Sequence, residues 1–230
     1  MHPRFLSIVV LLVAGMTAFS SSPALAKAPT STSSPEELRA YLVKLEEQKA
    51  TLPEFDYLMS KAQTLEDLGR YADAVPLVSR AIKLHPKNSL CIEIRCRLNE
   101  RLKRWHDTAA DKTRLIEMGV DVSRNLALRG IDKVRMHDFK GGLEDAEAAI
   151  KVNARDDDAW FCKGDAQQEL GDHAGAIDSF SRAIEINPKN WTNYHCRALS
   201  HKALNEIEKA RLDIQRARVN GWKEPKLSWE

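Results

Sequence analysis

The chain has 230 residues, and its 35 lysines and arginines against 33 aspartates and glutamates leave a formal charge of +2 at neutral pH. So even a balance argues against nucleic acid as the main partner, which would call for a basic face. Beyond one N-terminal apolar run the chain has no long apolar stretch, so no membrane span is expected once that run is removed.

The N-terminus places Arg4 before an apolar run from Phe5 to Phe19, followed by Ser20-Ser21-Ser22-Pro23 and Ala24-Leu25-Ala26. A basic start, a short apolar core and an A-x-A site are the three parts of a secretory signal peptide, so residues 1–26 are expected to be cleaved after Ala26. An uncleaved anchor is the other reading, but a spanning helix needs about 20 apolar residues, and this run is shorter and broken by Ser7 and Thr17. A periplasmic or secreted location is therefore the expectation. Residues 27–34 have almost nothing apolar to bury and read as a flexible lead. Over 35–54 a helix opening at Ser34-Pro35-Glu36-Glu37 carries Leu38, Tyr41, Leu42 and Leu45 on one face, suited to capping the open end of a helical array.

From Phe55 to Trp222 the chain repeats every 34 residues, in units 55–88, 89–122, 123–156, 157–190 and 191–222, with residues 223–230 as a C-terminal tail. Small residues coincide: Ala62, Gly130 and Gly164 at the eighth place, Ala74, Gly142 and Ala176 at the twentieth, Ala81, Ala149 and Ala183 at the twenty-seventh. In unit 157–190, Trp160, Gly164, Gln167 and Gln168 recur at helical spacing, and Gly171-Asp172 interrupts them as a turn would. A second helix carries Ala176, Ile177, Phe180, Ala183 and Ile184; Pro188 ends it, and Asn190 suits the N-cap of the next. Unit 89–122 is the weakest, with Thr108 where alanine recurs elsewhere. Pro76 is expected in the first turn of its helix, where no backbone hydrogen bond is lost. The helix from Glu208 to Val219 carries Lys209, Arg211, Asp213, Arg216 and Arg218, read as a polar outer side facing water, and Trp222 and Trp229 are placed to fold back over the last pair.

Trp160, Gly164, Ala176, Phe180, Ala183 and Pro188 resemble the signature of the tetratricopeptide repeat, and the other units match it in part. The resemblance implies an all-α fold: an α-solenoid of about five antiparallel helix pairs with an N-terminal capping helix. Such arrays bury the face of each unit on its neighbour and present a continuous surface to other chains.

The resemblance also implies that first-helix places 2, 5, 6, 9, 12 and 13 point to the inner surface. In the last three units they supply Ala127, Leu128, Ile131, Val134, Phe161, Cys162, Cys196 and Leu199, edged by Arg124, Arg135, Asp165, Glu169 and His195. An apolar floor with charged edges is the layout of a groove for a protein or peptide ligand. The other reading is that this strip packs neighbouring first helices together. The lysine, asparagine and arginine that hold a terminal carboxylate in some family members are absent, the corresponding places reading Ala127, Ile131, Cys162, Thr192 and Cys196.

No GxGxxG, P-loop, HExxH or GxSxG occurs in the chain, so no catalytic residue, metal or cofactor is assigned. Cys91 and Cys96 lie five apart on one helix and diverge. Cys162 and Cys196 share the sixth place of consecutive units, but neighbouring helix axes are about 8–10 Å apart and a disulfide needs Cα atoms within about 7 Å. Packed free thiols are therefore the expectation, with a Cys162–Cys196 bridge as the alternative. The functional expectation is a non-catalytic scaffold or adaptor that binds a partner in its groove. The alternatives are an envelope assembly factor or chaperone, a regulatory subunit of an envelope enzyme, or a thiol or metal site at Cys162 and Cys196 with His195 and His201 nearby. Oligomeric state and the partner's identity are not legible.

Overall fold

A computed structural model describes residues 33–223; the expected signal peptide, most of the flexible lead and Trp229 lie outside them. The described residues form eleven helices and no strand. A lone capping helix, α1 (Pro35–Gln48), precedes five pairs: α2 (Glu54–Asp67) with α3 (Tyr71–Leu84), α4 (Ser89–Arg101) with α5 (Trp105–Glu117), α6 (Val122–Arg135) with α7 (Phe139–Val152), α8 (Asp157–Glu169) with α9 (His173–Ile186), and α10 (Trp191–Ala203) with α11 (Ile207–Val219). The fold is the all-α, helix-pair type expected. No described helix is long and apolar enough to cross a membrane.

The chain divides into two compact units, Met1–Ile94 and Arg95–Glu230. In the first, Ser34 starts α1 with a capping box: its hydroxyl accepts from the Glu37 N–H at 3.2 Å, and its own N–H donates to the Glu37 carboxylate at 2.7 Å. Leu38, Tyr41 and Leu45 are buried, and the Tyr57 hydroxyl on α2 donates to Glu46 of α1 at 2.9 Å. Pro76 departs from the expectation. Helix α3 begins at Tyr71, so Pro76 is its sixth residue and lies beyond the first turn. The helix continues because Pro76 and Ala72, whose carbonyl loses its i+4 donor, both meet water.

In the second unit successive pairs stack: α7 packs on α8, α9 on α10, and first helix α6 on first helix α8. Small residues set the spacing. A Cβ on Gly130 would lie 2.6 Å from the Cys162 sulfur and 3.0 Å from the Gly142 carbonyl oxygen, so α6 and α7 meet backbone to backbone. A Cβ on Gly164 would lie 2.7 Å from the Phe180 ring, which fills the α8–α9 pair and is fully buried. Thr108 occupies the alanine place of α5 fully buried, its hydroxyl satisfied by the Trp105 carbonyl at 2.8 Å. Each turn within a pair puts its fifteenth-place residue at positive φ: Gly69 at 73°, Lys103 at 55°, His137 at 64°, Gly171 at 85° and Asn205 at 61°. Two of these are glycines; Lys103 and His137 hold a conformation that disfavours a Cβ by roughly 1–2 kcal/mol.

Charges are also built into the core of this unit. Arg95, Arg129 and Arg197, at the seventh place, each grip the aspartate sixteen residues on with two hydrogen bonds: Asp111 at 2.8 and 2.5 Å, Asp145 at 2.8 and 2.6 Å, Asp213 at 2.7 and 2.7 Å. These aspartates are buried. Asp213 is thus the exception to the expected water-facing side of α11: it turns inward, 2% exposed, to receive Arg197. The same arginines reach back to the preceding pair, Arg129 to the Thr113 hydroxyl at 3.0 Å and Arg197 to Ser181 at 2.9 Å. Lys163, at the same place, instead pairs with Glu147 at 3.2 Å. Lys112 is 2% exposed where Phe180 stands two repeats later, and it bridges Asp132, fully buried, at 2.7 Å and Glu100 at 2.8 Å. At the end, Trp222 folds over Tyr194, Ala198, Ile214 and Ala217 and is 5% exposed.

Removing one member of a buried ion pair strands the other. Lys112→Met leaves Asp132 with Arg135 at 3.4 Å as its remaining cation and is expected to destabilise the protein by about 3–5 kcal/mol in urea unfolding, whereas Lys112→Met with Asp132→Leu recovers most of the loss.

Candidate functional site

The expected inner surface lies entirely on α6, α8 and α10 of the second unit. Helix α10 is positioned by Asn190, whose side chain accepts from the Thr192 N–H at 3.2 Å, the N-cap role expected of it. Ile131, Asp165 and Leu199 share the ninth place of the three consecutive first helices, one row of the repeat register.

Leu128 and Phe161 are half-buried and pack against a small cluster of Ile131, Ala146 and Cys162. The Phe161 ring centroid lies 5.9 Å from that of Phe180, anchoring it on the core while part of it meets solvent. Leu199 and Cys196 are half-buried, Arg124, Arg135 and Glu169 exposed. The other expected floor residues are buried beneath this surface. Ala127 and Cys162 are fully enclosed, the Cys162 thiol donating to the Gly142 carbonyl at 3.6 Å, and Ile131 and Val134 are 7% and 6% exposed. Cys162 faces the preceding pair and belongs to the packing between pairs. His195 is half-buried but occupied, its ring 4.9 Å from Trp222 and 6.4 Å from Trp191. At α10 the first-helix face therefore carries an aromatic cluster of Trp191, His195 and Trp222.

All four cysteines are free. Burial pushes the Cys162 thiol far up and those of Cys96 and Cys196 to about 12, the Asp165 charge adding to the effect at Cys196. Thiols so held are protonated at neutral pH and are poor nucleophiles or metal ligands. His201 joins the polar ladder, Nδ1 2.6 Å from Glu206 and Nε2 3.8 Å from Asp213. Among the described residues no three or more His, Cys, Asp or Glu side chains are grouped to hold a metal ion.

Asp165 is the electrostatic anomaly. It is half-buried, and its carboxyl is raised to about 6 by desolvation first and the neighbouring Glu169 second, with Arg135 pulling the other way. Among the described residues no hydrogen bond or ion pair within 4 Å reaches Asp165 or Glu169.

A feature the sequence reading missed lies beside Arg135. Its guanidinium stacks 4.5 Å above the Trp105 ring, and both line an open pocket of about 440 Å³ together with Lys103, Arg104, His106, Asp107 and Met136. The signal available was Lys103-Arg104-Trp105 at a turn, an aromatic directly after two cations.

Among known proteins, the family model described as "Tetratricopeptide repeat" matches residues 38–89 and 128–190. Tetratricopeptide repeat protein 37 of Xenopus laevis is 32% identical over 60 residues, 26% of this chain, and the chain spans 4% of that relative's length. A tetratricopeptide repeat protein from Parabacteroides merdae superposes with a TM-score of 0.66 at 20% identity, covering 83% of this chain and 72% of that one. MamA from Desulfovibrio magneticus superposes at 0.62 and 10% identity, covering 74% and 96%. YrrB, described as a TPR protein with an unusual peptide-binding site, superposes at 0.53 and 16% identity, covering 78% and 92%.

Because the folded-state pKa of Asp165 lies above its ordinary 3.8, the folded protein binds more protons than the unfolded one between about pH 4 and 6. Stability falls as pH rises through that window, and the deficit is full above it. Asp165→Asn is therefore expected to stabilise the protein by about 2 kcal/mol near pH 7.5 and to give no gain near pH 4, measured by thermal unfolding at both.

Proposed function

The chain belongs to the tetratricopeptide repeat family, and from that premise we propose that it is a non-catalytic scaffold of the periplasm or of the secreted fraction. It holds a partner protein or an extended peptide on the first-helix face of α6, α8 and α10. The observation that carries this reading is that Leu128, Phe161 and Leu199, one apolar side chain on each successive first helix, are all half-buried, the first two packed on the cluster of Ile131, Ala146 and Cys162. A packed core would enclose them; a docking surface presents them. Arg124, Arg135, Asp165 and Glu169 supply the charged rim that gives an interface its register. The peptide-binding site named for YrrB, a protein of the same fold, is consistent with this use of the architecture. The high thiol pKa values support a role without cysteine chemistry.

The location rests on residues 1–26, whose basic start, apolar core and Ala24-Leu25-Ala26 site fit an export signal. N-terminal sequencing of the chain recovered from the envelope of a producing cell is expected to begin at Lys27; a chain that begins at Met1 would refute it. For the surface, a photo-crosslinking phenylalanine analogue at Leu199 is expected to capture one stoichiometric partner in the envelope. The same group at Arg182, exposed on α9, captures none. Equal capture from both positions would remove the first-helix face as the docking surface.

A further inference from the structure

The side chains on the first-helix face of the second unit differ in how far the fold engages them. Along the row Ile131, Asp165, Leu199 the outer two positions are apolar, and the middle one carries a carboxylate with no hydrogen bond or ion pair among the described residues. The fold does not use that carboxylate. Other aspartates turned into the unit, Asp111, Asp132, Asp145 and Asp213, each receive a cation at 2.5–2.7 Å, as a buried charge requires. Asp165 receives none, and an isoleucine or leucine would continue the row at no electrostatic penalty. Glu169, one turn further along α8 and likewise without an ion pair, adds a second negative charge on the same face. The charged and titratable groups around Asp165 are Arg135 from α6, Glu169 on α8 itself, and the protonated thiols of Cys162 and Cys196. Arg135 is engaged elsewhere, stacked on Trp105 and 3.4 Å from Asp132.

We propose that this face takes a partner segment presenting a lysine or arginine next to an apolar side chain, the cation seated on Asp165 and Glu169 and the apolar group on Phe161 and Leu199. The proposal rests on the docking reading above and sharpens it to one class of ligand. A cation arriving at Asp165 supplies the partner that the fold withholds, and it does so beside apolar walls that exclude water and strengthen the pair. An arginine meets the two carboxylates of an i, i+4 pair with its planar fork, a lysine as a point charge. The stability that Asp165 removes from the free protein is then returned on binding, the pattern expected of a residue kept for recognition.

The test uses the mature chain and fluorescent, acetylated and amidated octapeptides with Arg-Phe, Lys-Phe, norleucine-Phe or Glu-Phe at the centre, read by anisotropy. The Arg-Phe and Lys-Phe peptides are expected to bind, and norleucine in place of the cation to weaken binding on the order of ten- to a hundredfold. Asp165→Asn, expected to keep its fold, brings the cationic peptides to the norleucine level, while Phe161→Ala weakens every peptide alike. Equal affinity for cationic and norleucine peptides, or no change on Asp165→Asn, overturns the cation assignment and leaves the docking surface standing. Preference for Glu-Phe overturns it in favour of Arg135. Binding of no peptide of any class overturns both readings. A dimer of the unliganded chain in sedimentation, converted to monomer by Leu199→Glu, overturns the proposal by giving the face to a second copy.

Discussion

Helices that touch backbone to backbone leave no room for error, and the second unit is organised around such contacts. At Gly130 the nearest atom of α7 is a carbonyl oxygen, with no side chain between to yield. Close approach at the eighth, twentieth and twenty-seventh places fixes how far apart the two helices of a pair stand. That distance fixes which side chains can bridge the remaining space, and hence which face of each first helix is left over. Phe180 fills one pair as a wedge; Lys112, at the corresponding place of an earlier pair, fills its space with a charge and must bring Asp132 and Glu100 with it. Leu128, Phe161 and Leu199 on α6, α8 and α10 are the apolar side chains left half-buried once these contacts are made.

The polar ladder works on a different scale. Small-residue contacts are short-ranged and tolerate rotation of one pair on the next, whereas a guanidinium fork on a carboxylate is planar and directional. Arg129 and Arg197 each fix an aspartate in their own pair and a hydroxyl in the pair before. One side chain thereby sets the closure of a pair and the orientation of its neighbour. Such forks are retained where geometry matters more than net stabilisation, since burying both partners offsets much of the attraction.

The helices, their pairing and their caps are legible in the sequence because they depend on residues that sterics forces to recur: glycine or alanine at the contacts, Ser34 and Asn190 at helix starts, Trp222 as a closing aromatic. The ladder is not, although its residues recur with the same period, because a charged side chain on a helix ordinarily faces water. Asp213 reads as a solvent-facing residue for that reason. Cys162 reads as a groove residue from its position in the repeat, but helical places give an angle and not a depth. At Cys162 the preceding pair stands in front, as the contact with the Gly142 carbonyl demonstrates. Pro76 misleads because of where α3 begins, a boundary that depends on a turn lacking a side-chain cap. In the candidate site, the types of residue are visible in the sequence; which of them are already engaged, as His195 is with Trp222, is not.

The backward reach of the seventh-place cation also bears on how such an array can change over generations. Arg129 and Arg197 meet a hydroxyl in the preceding pair, but Lys163 meets the carboxylate of Glu147. A unit excised or duplicated by recombination would carry its cation to a neighbour bearing the other kind of acceptor. The units are thereby matched to particular neighbours and are not interchangeable in order.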